Sequence, residues 1–462
     1  MPSVASALGL AAVTLALGLY LAPGPFGLDP ELAPAAAIVA LAIGLWASGA
    51  VPVHLTALLI FTLATVLGVV PAPVIFSGFA SGALWLIFGG LILGAGVRRT
   101  GLARRLALWG GGLLAGSYRR IVYGCVLLGV VLAFLVPSAV ARMVILAPVV
   151  QAFARSLGFE EGTRGYNGMV VAAVYSTAMA GFAILPSNLP NLVLIGAAET
   201  LYDFQPVYGS FLLMHFPVLG LLKSLAIAEL TCRLYPDEPR RAATADAAEA
   251  LPGPWSPAER RLMVLLVGAL AIWATDFLHG ISPGWVALAA GTLCLLPRIG
   301  VLRADALQTE VDFGSLFYVA GVLGMVGMID ATGLGTALGE GLLGLVPLEP
   351  GAPATSYGAL VGVSTVIGAV ASLPAIPGVL VPLSGQIADA SALPLVTVLM
   401  IQLIGASAML LPYQSPPLVV GLRLGGVRLP DVARFSLLLA ALTLLVLAPV
   451  QYVWWSWLGY VG

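Results

Sequence analysis

The chain has 462 residues, 60% of them hydrophobic and only 9% charged, with a formal net charge of −1. Soluble domains carry about 25% charged residues, so this composition and a mean hydropathy of +1.04 exclude an ordinary soluble domain and indicate an integral membrane protein. The arginines are scattered through short loops rather than gathered in a stripe, which argues against a nucleic-acid partner.

The first apolar stretch, residues 5–22, has no basic residue before it and no small-residue cleavage site, so it reads as a retained transmembrane helix within an N-terminal unit 1–32. Residues 35–49, 55–70, 262–275 and 435–458 are also of spanning or near-spanning length, and none alternates like a membrane barrel strand. The expected class is an all-α polytopic membrane protein. Glycine runs at 89–96 and 109–116 suit close helix packing; no strand precedes and no lysine follows them, as a phosphate loop would require. Cys125, Cys232, Cys294, His54, His215 and His279 show no metal-ligand spacing and read as packing or helix-end residues. Tyr175, Ser176 and Thr177 read as helix-packing residues, and Trp454, Trp455 and Trp457 as an interfacial belt.

The chain repeats itself. Residues 81–106, SGALWLIFGGLILGAGVRRTGLARRL, align without a gap with 313–338, FGSLFYVAGVLGMVGMIDATGLGTAL. Each copy then reaches a serine, nine residues and a proline: Ser138 to Pro148 and Ser372 to Pro382. Further on, PSNLPNLVLIG (186–196) and PYQSPPLVVG (412–421) share a P-x-x-x-P-x-L-V frame. The repeats are expected at 33–234 and 259–462. The first has a hairpin at about 120–157 and a broken helix at about 167–204; the second has them at about 355–390 and 393–425. The polar segment 235–258 joins them as a cytoplasmic linker.

Charge indicates that the copies are inverted. Arg98 and Arg99 correspond to Asp330 and Ala331, a switch in sign that opposite orientation requires. With one re-entrant hairpin per half, the loops near 98–120, 155–164, 233–261, 298–303 and 423–434 fall in the cytoplasm and hold every arginine except Arg142. Asp29, Glu31, Asp203, Asp276, Glu340 and Glu349 fall on the other face, with the C-terminus.

Four apolar segments are interrupted: Val136-Pro137-Ser138, Ser372-Leu373-Pro374, residues 186–190 and residues 412–417. Irregular backbone at midplane depth survives only where it lines a buried site or a cavity. Paired broken segments in two halves point to a transporter site, because a helix starting there offers free N–H groups and a partial positive charge to an anion. Arg142, four residues beyond the first break, costs about 2.5–3.5 kcal/mol at the centre of a bilayer. It is expected either to bind an anion or to satisfy carbonyls or a buried acid, with Glu229 and Asp389 the candidate acids. Ser187, Asn188, Asn191, Tyr413, Gln414 and Ser415 are the other polar residues at the breaks, suited to orienting an anionic head group or to capping helices.

On these motifs the chain resembles the divalent anion/sodium symporter family of the ion transporter superfamily. That family has two inverted repeats, each with a re-entrant hairpin bearing a Ser-Asn-Thr tip and a broken helix with a Thr-Pro-Pro-Asn type turn. Ser138 and Ser372 match the tip serines, and Leu189-Pro190-Asn191 and Ser415-Pro416-Pro417 match the turns. Residues 100–116 resemble the family's interfacial helix leading into the hairpin. Ala139 and Val140, and Leu373 and Pro374, stand where the family has Asn and Thr; Arg142 replaces a small hydroxyl residue. The resemblance implies a homodimer in the inner membrane and carriage of a small anion, expected to be a carboxylate. The expected substrate-binding set is Ser138, Arg142, Asn188, Asn191, Ser372, Gln414 and Ser415. Sodium has possible oxygen ligands in Ser138, Asn188 and Ser415; alternatively Arg142 permanently supplies the charge of a coupling cation, which suits an exchanger. No other cofactor is implied.

The expectation is therefore a secondary active transporter, symporter or exchanger, working by alternating access. A cation/proton antiporter or metalloid exporter would share the fold, but antiport calls for a buried acid beside a break, where the sequence has none. A non-transporting membrane enzyme or sensor is the remaining alternative. The scattered histidines and cysteines give an enzyme neither nucleophile-base pair nor metal cluster.

Overall fold

A computed structural model describes residues 4–102, 105, 116–239, 253–303, 305–370 and 373–461. Among these the secondary structure is helical throughout, with no strand. In chain order the principal helices are α1 (Val4–Leu21), α2 (Ala33–Ser48), α3 (Val53–Val66), α4 (Gly82–Thr100), α5 (Tyr118–Leu135), α6 (Ala139–Ser156), α7 (Arg164–Ala180) and α8 (Leu189–Tyr202). They continue with α9 (Tyr208–Leu234), α10 (Pro257–Ala274), α11 (Pro283–Leu295), α12 (Phe313–Ala331), α13 (Leu334–Leu343), α14 (Pro353–Val370), α15 (Ala375–Ser391), α16 (Leu395–Ser407), α17 (Pro416–Leu424) and α18 (Leu429–Trp457). Seven of the described helices are individually long and apolar enough to cross a bilayer, and α15 and α16 meet at 119°. The chain is a multi-pass membrane protein. Most of the stretch matched to an interfacial helix, and linker residues 240–252, lie outside the described residues, as does Ser372.

Local chemistry sets the helix ends. Ser81, Ser138 and Thr163 each turn a side-chain oxygen onto a first-turn N–H of α4, α6 and α7, and Ser256 with Glu259 forms a capping box on α10. In both α9 and α18 the α-helical ladder widens into a π-helical turn, at Phe216–Leu222 and Thr443–Leu447. Pro217 lies in the first and Pro449 just after the second, and each lacks the N–H that a regular ladder needs at that point.

The packing has a twofold pattern. Helix α5 lies along α7, and its counterpart α14 lies along α16. Both pairs come together at glycine: a Cβ on Gly129 would sit 2.1 Å from Ser176 Oγ and 2.9 Å from the Ala173 carbonyl, and one on Gly405 2.3 Å from Ser364 Cβ and 2.7 Å from the Val361 carbonyl. Across the halves, α6 packs on α17 while α15 packs on α8, and α4 packs on α11 while α12 packs on α3. The helices that resume after the two later breaks, α8 and α17, thus pack on α15 and α6 respectively.

Several charged helix ends are held by local polar contacts. Arg105 Nε donates to Glu259 at 2.8 Å, Arg98 and Arg99 both reach Glu310, and Arg261 donates to the Arg298 carbonyl. Elsewhere, Glu199 accepts from Ser81 Oγ and Gln205 Nε2, each at 2.7 Å, and Asp276 accepts from the Tyr208 amide. Trp457 is exposed, but Trp455 is buried and donates its indole N–H to the Met214 carbonyl. This corrects the interfacial reading of Trp455, whose face of α18 turns toward α9.

Candidate functional site

The first break is built around Arg142. Helix α5 ends at Leu135, the backbone is extended at Val136, and Ser138 caps the new helix α6 by accepting from the Ala141 amide at 3.3 Å. One turn into α6 the guanidinium lies fully buried. Its Nη1 donates to the Val136 carbonyl at 2.7 Å and to Ser187 Oγ at 2.8 Å; its Nη2 donates to the Ser187 carbonyl at 2.9 Å and the Thr177 carbonyl at 3.3 Å, while Nε has no partner. Thr177 lies in the last turn of α7 and Ser187 in the interruption before α8, so one side chain ties the break at residues 136–138 to both the end of α7 and the interruption that follows it.

That geometry decides between the partners considered for Arg142: carbonyls hold it, not an acid. Glu229 pairs instead with Arg119 and Arg233 at the surface, and Asp389 is exposed. Among the described residues no carboxylate lies within ion-pair distance of Arg142.

The remaining residues divide into two groups. Asn191 and Gln414 are buried and fasten the breaks internally. Asn191 Nδ2 donates to the carbonyls of Gly181 at 2.9 Å and Ile184 at 3.1 Å; Gln414 Nε2 donates to Gly368 at 2.7 Å, and its Oε1 accepts from Leu411 N. Ser138, Asn188 and Ser415 are half-buried N-cap residues of α6, α8 and α17. Asn188 and Ser415 make no side-chain cap bond, which leaves their side-chain oxygens open to a ligand; Leu189 opens α8 with a free N–H, whereas Pro416 and Pro417 give the start of α17 none. Tyr413 is exposed and donates to the Ala369 carbonyl. Of the helix-packing residues, Tyr175 hydrogen-bonds Ser436 and Ser176 donates to the Ala173 carbonyl.

The sequence reading passed over Lys223. It is fully buried within the 27-residue α9, and its Nζ donates to the carbonyl of Ser407, the last residue of α16, at 2.5 Å. The available signal was its uniqueness: Lys223 is the only lysine in the chain and interrupts an apolar run. Among the described residues no group of three or more His, Cys, Asp or Glu side chains is placed to hold a metal ion.

Broken helices that resume from half-buried caps are a membrane transporter architecture. The chain belongs to the sodium:sulfate symporter transmembrane region family, the divalent anion/sodium symporters, whose pattern matches residues 5–461. It is 27% identical over 354 residues to a membrane protein of Cupriavidus necator, covering 72% of this chain and 69% of the relative. It is 28% identical over 291 residues to the L-tartrate/succinate antiporter of Escherichia coli K12, covering 58% of this chain and 56%, little more than half, of that protein. The fold is similar to that of the Alcanivorax borkumensis YdaH transporter, with a TM-score of 0.53 and 17% identity over 83% of this chain and 86% of that one.

Proposed function

We propose that this protein is a secondary active carrier that exchanges small dicarboxylate anions across the inner membrane by alternating access, without sodium. The observation that carries the reading is the set of oxygens around Arg142. Three carbonyls and a hydroxyl converge at the first break, a donor set suited to a hard cation such as sodium, and the guanidinium already takes it. A permanent charge there offsets part of a bound dianion's charge. The half-buried caps Ser138, Asn188 and Ser415 supply its hydrogen bonds. The resemblance to a tartrate/succinate antiporter supports the substrate class and exchange. The two repeats are inverted in this reading, the arginine-bearing loops and the linker are cytoplasmic, and two copies assemble as a homodimer.

The competing arrangement keeps the fold and holds sodium on the oxygens of Ser138, Asn188 and Ser415. Counterflow of labelled succinate in proteoliposomes, preloaded or empty, in sodium or choline buffer, separates the two. Exchange requires preloading and proceeds equally in choline. Uptake into empty vesicles driven by a sodium gradient overturns the sodium-free reading, and no succinate flux under any condition overturns the carrier assignment.

A further inference from the structure

We infer that Lys223 is the second half of a two-cation device that makes the carrier selective for dianions over monoanions. The inference rests on the carrier reading above. Three observations bear on it. Lys223 is the chain's one lysine, lies near the middle of α9 and is fully buried. Its ammonium bonds the carbonyl of Ser407, where α16 ends at the second break, as Arg142 bonds Thr177 in the last turn of α7 at the first. The π-helical turn immediately before Lys223 packs against the Gly181–Ala183 turn of the first break, so the helix that carries this lysine touches one break while its ammonium is bonded at the other.

Neither cation has a carboxylate within ion-pair distance among the described residues. Helix C-termini favour a cation, but a partial dipole charge does not neutralise a full one. The ammonium carries three donor hydrogens and one of them is used. Two buried unit charges at corresponding breaks are balanced by two negative charges, so a ligand carrying two carboxylates matches the pocket better than one carrying one. Lys223 acts through the local field rather than by touching the ligand. A unit charge about 10 Å from a carboxylate changes affinity on the order of tenfold at the effective dielectric of a protein interior.

The test is Lys223→Met, which keeps the length of the stem and removes the charge; the desolvation cost of a buried ammonium is recovered while the Ser407 carbonyl loses one donor, so the two effects offset. Exchange of succinate and its inhibition by lactate are measured in proteoliposomes at neutral pH, with thermal unfolding followed in parallel. The expected result is a preserved or raised unfolding midpoint together with about a tenfold loss of the succinate-to-lactate preference, while Lys223→Arg keeps the preference. An unchanged preference in a transporting Lys223→Met protein overturns the inference and leaves the carrier reading intact. A lysine that only caps α16 gives a lowered midpoint at constant preference, which overturns it equally. Should Lys223→Met fail to assemble, the wild type decides: equal inhibition constants for mono- and dicarboxylates of matched length refute two-charge selection. Absence of any exchange by the wild type refutes the carrier reading, and this inference with it.

Discussion

Replacing Arg142 with alanine sets two comparable energies against each other. The variant removes the donors from three buried carbonyls, those of Val136, Thr177 and Ser187. The Ser187 hydroxyl keeps a partner, because it donates to the Ala133 carbonyl at 2.9 Å. At about 1 kcal/mol for each carbonyl, the low end of the range because water can enter the vacated space, the loss is about 3 kcal/mol. The cost of holding a guanidinium in the bilayer centre, about 2.5–3.5 kcal/mol, is recovered at the same time. The two nearly cancel, so Arg142→Ala should assemble and unfold within a few degrees of the wild type. Transport should nevertheless fall by about a hundredfold, the scale of losing a unit charge on the order of 5 Å from a bound carboxylate, about 3 kcal/mol at an effective dielectric of about 20. Purified variant and wild type are compared by thermal unfolding monitored through tryptophan fluorescence and by succinate counterflow. Normal counterflow would remove the arginine's charge from the transport mechanism. Collapse of the fold would show that carbonyl satisfaction, rather than charge, is its dominant role.

The glycine contacts give a matched pair of perturbations. Gly129→Ala and Gly405→Ala each force a methyl group into the backbone of the facing helix, and overpacking of this kind costs about 1–3 kcal/mol; the unfolding midpoints of both variants should fall, and an unchanged midpoint in either would show that the close helix approach at that glycine is not needed. Assembly is checked by native mass spectrometry from lipid nanodiscs, where a dimer is expected and a monomer as the sole species would contradict the proposed assembly.

Much of this protein is readable without coordinates because the relevant signals are local. Apolar runs report spanning helices, and prolines at Val136-Pro137-Ser138, at 186–190 and at 412–417 report where ladders end, since a missing N–H acts within one turn of its own position. A lone arginine four residues past a break announces itself by its cost. Those features gave the all-helical class and the family resemblance.

Partners distant in sequence were not readable. Ser187 lies 45 residues beyond Arg142, and Ser407 lies 184 residues beyond Lys223; no periodicity encodes such meetings, because they depend on the path of every helix between them. The same holds for Trp455, which composition assigned to the membrane interface and packing turned toward α9. By itself, then, the sequence determined where helices form, where they break and which side chains are too costly to be idle. Only the tertiary structure decided that the arginine serves carbonyls instead of an acid, and that the single lysine reaches the second break. Helix formation is settled by neighbours along the chain, whereas a buried charge takes whichever oxygens the folded bundle brings within reach.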